Sequence, residues 1–127
     1  MYNILICDDE KDIVNALKIY LNDSEYQFFE AYNGKQALEI IESNEIHLVL
    51  LDIMMPVMDG YQALMGIRNL EKERNIPKDK EAKVIMTTAL NDEGNVKMAF
   101  ELGCTVYSGK PIDQERFEQV LKKFGLI

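Results

Sequence analysis

Three short apolar runs of this chain end beside residues that could carry out chemistry. The run that ends at Leu51 is followed by Asp52, and an earlier run ends at the adjacent acids Asp8 and Asp9. A third run ends just before Lys110. A carboxylate at the tip of a buried strand costs free energy unless it has a partner. Three acids and one lysine are suited to a divalent cation that holds a phosphoryl group on a carboxylate.

The chemistry of these side chains suggests a role for each. Asp52 is the predicted nucleophile, because a carboxylate can form an aspartyl phosphate. Asp8 and Asp9 would orient Mg²⁺, a hard cation that takes one or two protein carboxylates together with phosphate oxygens. Lys110 would give a point charge to one phosphoryl oxygen. Thr88 would give a hydroxyl to another.

These side chains need a fold that brings them together. Short apolar runs alternate with segments of helical period along the whole chain, which is the pattern of βαβ repetition. Five strands joined by right-handed crossovers predict an α/β fold, a (βα)5 doubly wound five-stranded parallel sheet with helices on both faces. Such sheets bind ligands at the carboxyl ends of their strands. The predicted strands are residues 2–7, 26–30, 48–51, 83–87 and 105–108.

Cap residues agree with this division of the chain. Helix N-caps are expected at three residues and helix ends at two glycines. They are Asn33, Asn91 and Asp113 for the N-caps, and Gly103 and Gly125 for the helix ends. The long connection over residues 71–82 is predicted to be a helix end followed by a solvated loop.

Some candidate residues also have ordinary structural explanations. Asp9 could cap the helix that begins near Glu10. Asp59, directly before Gly60, is interpreted as a turn or cap residue rather than as a ligand. His47 is the only histidine of the chain, and we interpret it as the exposed start of a strand.

Composition excludes several classes of protein. The 127 residues predict a single domain over residues 1–127. A net charge of -8 argues against direct binding to nucleic acid or to an anionic membrane. No apolar stretch reaches the ~20 residues that span a bilayer, and no signal peptide is recognisable, so we expect a cytoplasmic protein. Cys7 and Cys104 are too few for a disulfide framework or a zinc site, and we expect both to be buried.

Four motifs make the chain resemble the receiver domains of two-component response regulators. They are ILICDDE at residues 4–10, LLDIMMPVMDG at 50–60, MTTA at 86–89 and GKP at 109–111. The resemblance covers essentially the whole chain and implies the flavodoxin-like strand order 2-1-3-4-5. It further implies that a sensor histidine kinase or a histidine phosphotransfer protein donates a phosphoryl group to Asp52. The implied metal is Mg²⁺, with Mn²⁺ as a substitute, and its implied ligands are Asp8, Asp9, Asp52 and the backbone carbonyl of Met54.

The resemblance also implies a conformational switch. Its signalling threonine is Thr88 rather than Thr87, and its aromatic partner is Tyr107, whose ring would swing inward on phosphorylation. A downstream effector would bind the face formed by the fourth helix, the fifth strand and the fifth helix. Met54 and Leu90 flank the path of hydrolytic water in this family, and we hypothesise that their apolar side chains slow self-dephosphorylation.

The sequence departs from the family pattern at two points. Gly109 stands before the lysine, where an apolar or small strand residue is more usual, so we expect a looser or bulged strand there. The connection over residues 71–82 is long for the family. Neither departure involves the predicted chemistry.

Three other functions are compatible with the predicted fold. A phosphohydrolase with an aspartyl-phosphate intermediate would need a carboxylate at position 54, where this chain has methionine. A mononucleotide binder would need a phosphate loop after the first strand, but residues 8–12 are acidic. A protein-interaction module with degenerate acids is the third alternative, although every required position is filled. The leading prediction is a phosphoacceptor switch that turns over no separate substrate, either as a stand-alone receiver or as part of a longer regulator.

Overall fold

The computed structural model describes residues 2–21, 25–88, 93–109 and 114–125. Its strands are β1 (Tyr2–Cys7), β2 (Tyr26–Ala31), β3 (Leu48–Asp52), β4 (Lys83–Thr88) and β5 (Val106–Gly109), and its helices are α1 (Lys11–Tyr20), α2 (Gly34–Ser43), α3 (Gly60–Glu73), α4 (Glu93–Glu101) and α5 (Gln114–Lys123). The strands form one parallel sheet in the order β2-β1-β3-β4-β5. The predicted fold and strand order are confirmed.

Two apolar layers hold the helices on the sheet. On one face, residues such as Ile6 and Leu50 pack with Leu17 of α1 and Phe117 of α5. On the other face, a second cluster joins β1, β3 and β4 to helices α2, α3 and α4. All five residues of β3 are buried. A central parallel strand covered on both faces reads as a continuous apolar run, and this is why Asp52 at its end is conspicuous.

Asn33, a predicted N-cap, and Asp59, expected as a turn or cap residue, both cap helices through hydrogen bonds. The Asn33 side chain accepts the backbone N–H of Gln36 at 2.9 Å. Asp59 accepts the N–H of Gln62 at 2.9 Å, and the Gln62 side chain accepts the N–H of Asp59 in return. Such reciprocal bonds satisfy donors that the first helical turn leaves free. Asn91 and Asp113, the other two predicted caps, lie outside the described residues.

The alternative role of Asp9 as a helix cap is wrong. Helix α1 begins at Lys11, and its N-cap residue is Glu10, which makes no side-chain cap bond. The carboxylate of Asp8 accepts the N–H of Glu10 at 2.9 Å instead. Asp9 is exposed and does not cap α1.

The predicted helix ends at two glycines are confirmed. Gly103 follows α4 with φ +103°, and Gly125 follows α5 with φ +73°. Both values lie in the left-handed region, which glycine adopts at little cost.

A buried ion pair anchors the connection that follows α3. The Glu71 carboxylate lies 2.7 Å from Nη1 of Arg68 and also accepts the N–H of Ala82 at 2.7 Å. Arg68 donates to the carbonyl oxygen of Gly103 through Nε at 3.1 Å and Nη2 at 2.8 Å. As predicted, the connection begins as the end of α3 and continues as a largely exposed loop, but the Glu71 carboxylate at its start is buried. Glu71 is buried because its charge has fixed partners.

Two further expectations about strand ends are corrected. His47 is not simply exposed, because its Nδ1 accepts the N–H of Asn3 at 2.9 Å and so joins the starts of β1 and β3. The expected bulge at Gly109 is absent from the described part of β5, where Gly109 pairs with Thr88 in regular register. Strand β5 begins one residue later than predicted.

In the described ranges, no helix is both long and apolar enough to cross a bilayer.

Candidate functional site

Asp8 and Asp52 lie at the same level on neighbouring strands. The register of β1 and β3 pairs Cys7 with Leu51, so the next residues along the two strands are these two acids. Only 2% of Asp8 and 4% of Asp52 are exposed. Two carboxylates buried at one edge of a sheet need hydrogen bonds or a cation to offset the loss of hydration.

Asp9 and Glu10 extend this acidic edge toward solvent. Carboxylate oxygens of Asp8, Asp9 and Glu10 lie within 4.8 Å of one another, and Asp52 is not a member of this close group. Glu10 was not among the predicted site residues, although its position directly after the acid pair was a signal. Oxygen atoms from several carboxylates are the ligands that hard cations such as Mg²⁺ prefer.

The backbone carbonyl of Met54 is the next predicted ligand of the metal. Among the described residues, no group donates a hydrogen bond to it. Two other carbonyls of this loop are used, since Ile53 accepts the N–H of Gly60 at 2.9 Å and Pro56 accepts the N–H of Met58 at 2.7 Å. The donor set at this edge therefore consists of hard oxygens and fits a divalent cation.

The negative charge of this edge affects the pKa of the Cys7 thiol. Its pKa rises to about 12, first because the thiol is buried and second because Asp52, Asp8 and Asp9 disfavour a thiolate. Burial also raises the pKa of Cys104. Both cysteines are buried, as the sequence predicted. The acids thus create a negative potential at the ends of β1 and β3, which attracts a cation.

The loop after Asp52 contains a strained turn. Val57 has φ +69°, and the residues on either side of it are joined by the hydrogen bond from Met58 to Pro56. A hydrogen bond between two residues that flank a central residue of positive φ defines a γ-turn. This form of the γ-turn is rare and strained. A β-branched residue is an outlier at this φ. The turn lies within the loop that carries Met54.

The β4 strand supplies the next part of the site. Thr87 pairs in register with Asp52 and is 3% exposed. Its carbonyl accepts the N–H of Ile53 at 3.1 Å, which extends the ladder one residue past Asp52. The backbone of Thr88 ends β4, but its side chain lies outside the described part of the chain. The predicted role of Thr88 therefore stays a prediction.

Tyr107 of β5 lies beside β4, where it pairs with Met86. Its ring packs against the apolar cluster on the face of α2, α3 and α4. Its hydroxyl is buried and has no hydrogen-bond partner among the described residues. Lys110 and Leu90 lie outside the described residues, so their predicted roles also stay predictions.

Comparison with known proteins identifies one family. The sequence profile of the family described as "Response regulator receiver domain" matches residues 4–122, which is nearly the whole chain.

Two curated relatives are named as regulatory proteins. The chain is 38% identical to the transcriptional regulatory protein SrrA of Staphylococcus aureus over 124 residues, which are 98% of this chain and 47% of SrrA. It is 36% identical to the response regulator GtcR of Aneurinibacillus migulanus over 110 residues, which are 87% of this chain and 42% of GtcR. The chain thus spans about half the length of the curated relatives it matches.

Solved structures share the fold at high similarity. A chain of the CheX-CheY-BeF3-Mg²⁺ complex from Borrelia burgdorferi superposes with a TM-score of 0.84 and 31% identity, and the match covers 97% of this chain and 89% of that one. A CheY-like receiver domain protein from Methanospirillum hungatei gives a TM-score of 0.81 and 27% identity, with 98% and 94% covered.

Proposed function

Because this chain belongs to the response regulator receiver domain family, we propose that it is a phosphoacceptor switch of a two-component phosphorelay. In this proposal residues 1–127 act as one receiver domain, and Asp52 accepts a phosphoryl group from a phosphohistidine. The donor is a sensor histidine kinase or a histidine phosphotransfer protein. The observation that carries the proposal is the pair of buried carboxylates, Asp8 and Asp52, at one level of the sheet beside further acids.

The metal in this proposal is Mg²⁺, for which Mn²⁺ can substitute. Its ligands are Asp8, Asp9, Asp52 and the backbone carbonyl of Met54, and the exposed Glu10 lies within reach of the first two acids. When bound, the cation neutralises the carboxylates and offers positive charge to the phosphoryl oxygens. The Met54 carbonyl receives no hydrogen bond within the described part of the chain, which supports its place in this set.

Asp52 acts as the nucleophile in the transfer step. One of its carboxylate oxygens attacks the phosphorus of the phosphohistidine, the new O–P bond forms, and the N–P bond breaks with its electron pair returning to the imidazole. Lys110 and Thr88 bind phosphoryl oxygens as charge develops on them. Water later attacks the phosphorus, the O–P bond to Asp52 breaks, and inorganic phosphate leaves as the carboxylate is restored. The chain assists both steps on itself and turns over no separate substrate.

Phosphorylation would be read out through Thr88 and Tyr107. The threonine moves toward the phosphoryl oxygen, and the tyrosine ring follows it on β5. The output surface is the face of α4, β5 and α5, where a downstream effector binds. Exposed apolar side chains on α4 support a protein-binding role, since Phe100 is 50% exposed and Met98 is 39% exposed.

The lifetime of the phosphorylated state would depend on Met54 and Leu90. The Met54 side chain is 61% exposed, so it is available to cover the approach of water to Asp52. Polar substitutions at both positions should speed loss of the phosphoryl group. A rapid Mg²⁺-dependent loss that ignores those substitutions would reject this part of the proposal.

The central test is phosphorylation by a small phosphodonor with and without Mg²⁺, read from the intact mass of the protein. Wild type should gain one phosphoryl group only with the metal, and Asp52→Asn should gain none. Asp59→Asn is the matched control, because asparagine keeps the cap of α3 and the residue lies in the same segment. Equal labelling of Asp52→Asn and wild type would reject Asp52 as the acceptor.

A further inference from the structure

The turn between β2 and α2 lies directly against the loop that follows Asp52. We define residues 32–34 as the anchoring turn and residues 53–59 as the acceptor loop. We propose that the anchoring turn positions the acceptor loop for metal binding, with Gly34 and Met55 as positioning residues. The inference rests on the proposed function, because the acceptor loop carries the Met54 carbonyl assigned to the metal.

The first contact joins Gly34 to Met58. The backbone N–H of Gly34 donates to the carbonyl of Met58 at 3.1 Å. A Cβ on Gly34 would lie 2.7 Å from that carbonyl oxygen and 2.8 Å from Cγ of Met58. Since the nearest atom belongs to the backbone, a side chain at position 34 would have to displace the acceptor loop or the start of α2.

The second contact passes through the end of β1. The Cys7 thiol lies 3.3 Å from Sδ of Met55 and 3.5 Å from the carbonyl oxygen of Asn33. Cys7 immediately precedes Asp8. One buried thiol therefore touches the anchoring turn and the acceptor loop at the point where the acidic edge begins.

The anchoring turn is itself fixed by side chains. Asn33 accepts the N–H of Gln36 at 2.9 Å, and the Gln36 side chain accepts the N–H of Tyr32 at 2.8 Å. These reciprocal bonds attach the turn to the first turn of α2. Two hydrogen bonds thus tie the anchoring turn to the start of α2.

The acceptor loop needs such a support because it contains the strained γ-turn at Val57. A strained backbone conformation persists only where the surroundings hold it. The bond from Gly34 holds the residue directly after Val57, and Met55 packs against the core and Cys7 on the other side. Met54 lies in the same loop, so release of these contacts would move its carbonyl away from the metal.

The test compares Gly34→Ala with Gly66→Ala. At Gly66 an added Cβ would meet the side-chain ends of Leu38 at 2.8 Å, so it disturbs the packing of α2 on α3 without touching the acceptor loop. For each variant, the Mg²⁺ dissociation constant is measured by calorimetric titration, and the melting temperature is measured without metal. We expect Gly34→Ala to raise the dissociation constant by about tenfold, as for loss of a group that orients a metal ligand. Gly66→Ala should bind Mg²⁺ as wild type does, even if its melting temperature falls.

A second pair of variants covers the case in which Gly34→Ala does not fold. Met55→Ala removes the side chain that contacts Cys7, and Met55→Leu keeps its bulk. Met55→Ala should weaken Mg²⁺ binding, and Met55→Leu should restore it. A purely structural role would lower the melting temperature of Met55→Ala and leave its Mg²⁺ affinity unchanged.

The outcomes separate this inference from the proposed function. If folded Gly34→Ala, or folded Met55→Ala, binds Mg²⁺ as tightly as wild type, the positioning role is overturned while the switch stands. If wild type binds no Mg²⁺ and gains no phosphoryl group, both proposals are overturned.

Discussion

Gly60, the first residue of α3, lies directly against the main chain of Asp52. A Cβ on Gly60 would overlap the carbonyl oxygen of Asp52 and would lie 2.8 Å from Cα of Ile53. The N–H of Gly60 also donates to the Ile53 carbonyl at 2.9 Å. The helix thus begins against the point where β3 ends, and it fixes the backbone of Asp52, the proposed phosphoacceptor.

Gly60→Ala should therefore destabilise the protein. The new Cβ meets backbone atoms that cannot move without displacing β3, so we expect the free energy of unfolding to fall by about 3 kcal/mol. Urea denaturation measures this change. Gly66→Ala, in the same helix, should cost less because its new contact is with the flexible ends of Leu38. Wild-type stability in Gly60→Ala would contradict the close approach of α3 to β3.

Val57→Gly should stabilise the protein. Glycine adopts the positive φ of this γ-turn without a steric penalty, and we expect a gain of about 1 kcal/mol after the added entropy of the unfolded chain. Little burial is lost, since Val57 is 78% exposed. Thermal and urea denaturation measure the gain. Val57→Ala keeps a Cβ and should gain less, and a loss of stability in Val57→Gly would show that the turn is not strained.

Tyr107→Phe should not destabilise the protein. The Tyr107 hydroxyl is buried without a partner in the described part of the chain, so its removal should leave stability unchanged or raise it by about 1 kcal/mol. Urea denaturation without Mg²⁺ or phosphodonor measures this effect. Tyr2→Phe is the control, because the Tyr2 hydroxyl donates to the carbonyl of Gly125 at 3.1 Å. Loss of this hydrogen bond should slightly lower the free energy of unfolding. A clear loss of stability in Tyr107→Phe would mean that the hydroxyl has a partner.

Stability should fall at alkaline pH because of Cys7. The pKa of its thiol is about 12 in the folded protein against 9.0 as the ordinary value, so the folded state holds the proton more tightly. The stabilising effect of the protonated Cys7 thiol is fully present below pH 9. It is lost as the pH rises from 9 toward 12. Denaturation curves above pH 9 should show a shallower decline for Cys7→Ala than for wild type. An identical decline in the two proteins would place the thiol in a more exposed site.

The sequence by itself determined the fold and the residues at the rim of the sheet. Apolar runs and helical periods follow from the local chain, so five strands, five helices and the acids at the ends of β1 and β3 were all predictable. The caps at Asn33 and Asp59 were predictable for the same reason, because each bond spans only three residues.

Only the tertiary structure decided which of these residues touch. Glu71 was expected at a helix end, but its burial was not predicted, because it depends on contacts with Arg68 and the backbone of Ala82. The contact of Gly34 with Met58 and the strain at Val57 have no signature in the local pattern. Periodicity and capping are encoded within a few neighbouring residues, whereas distances between segments far apart in the chain depend on how the whole core packs.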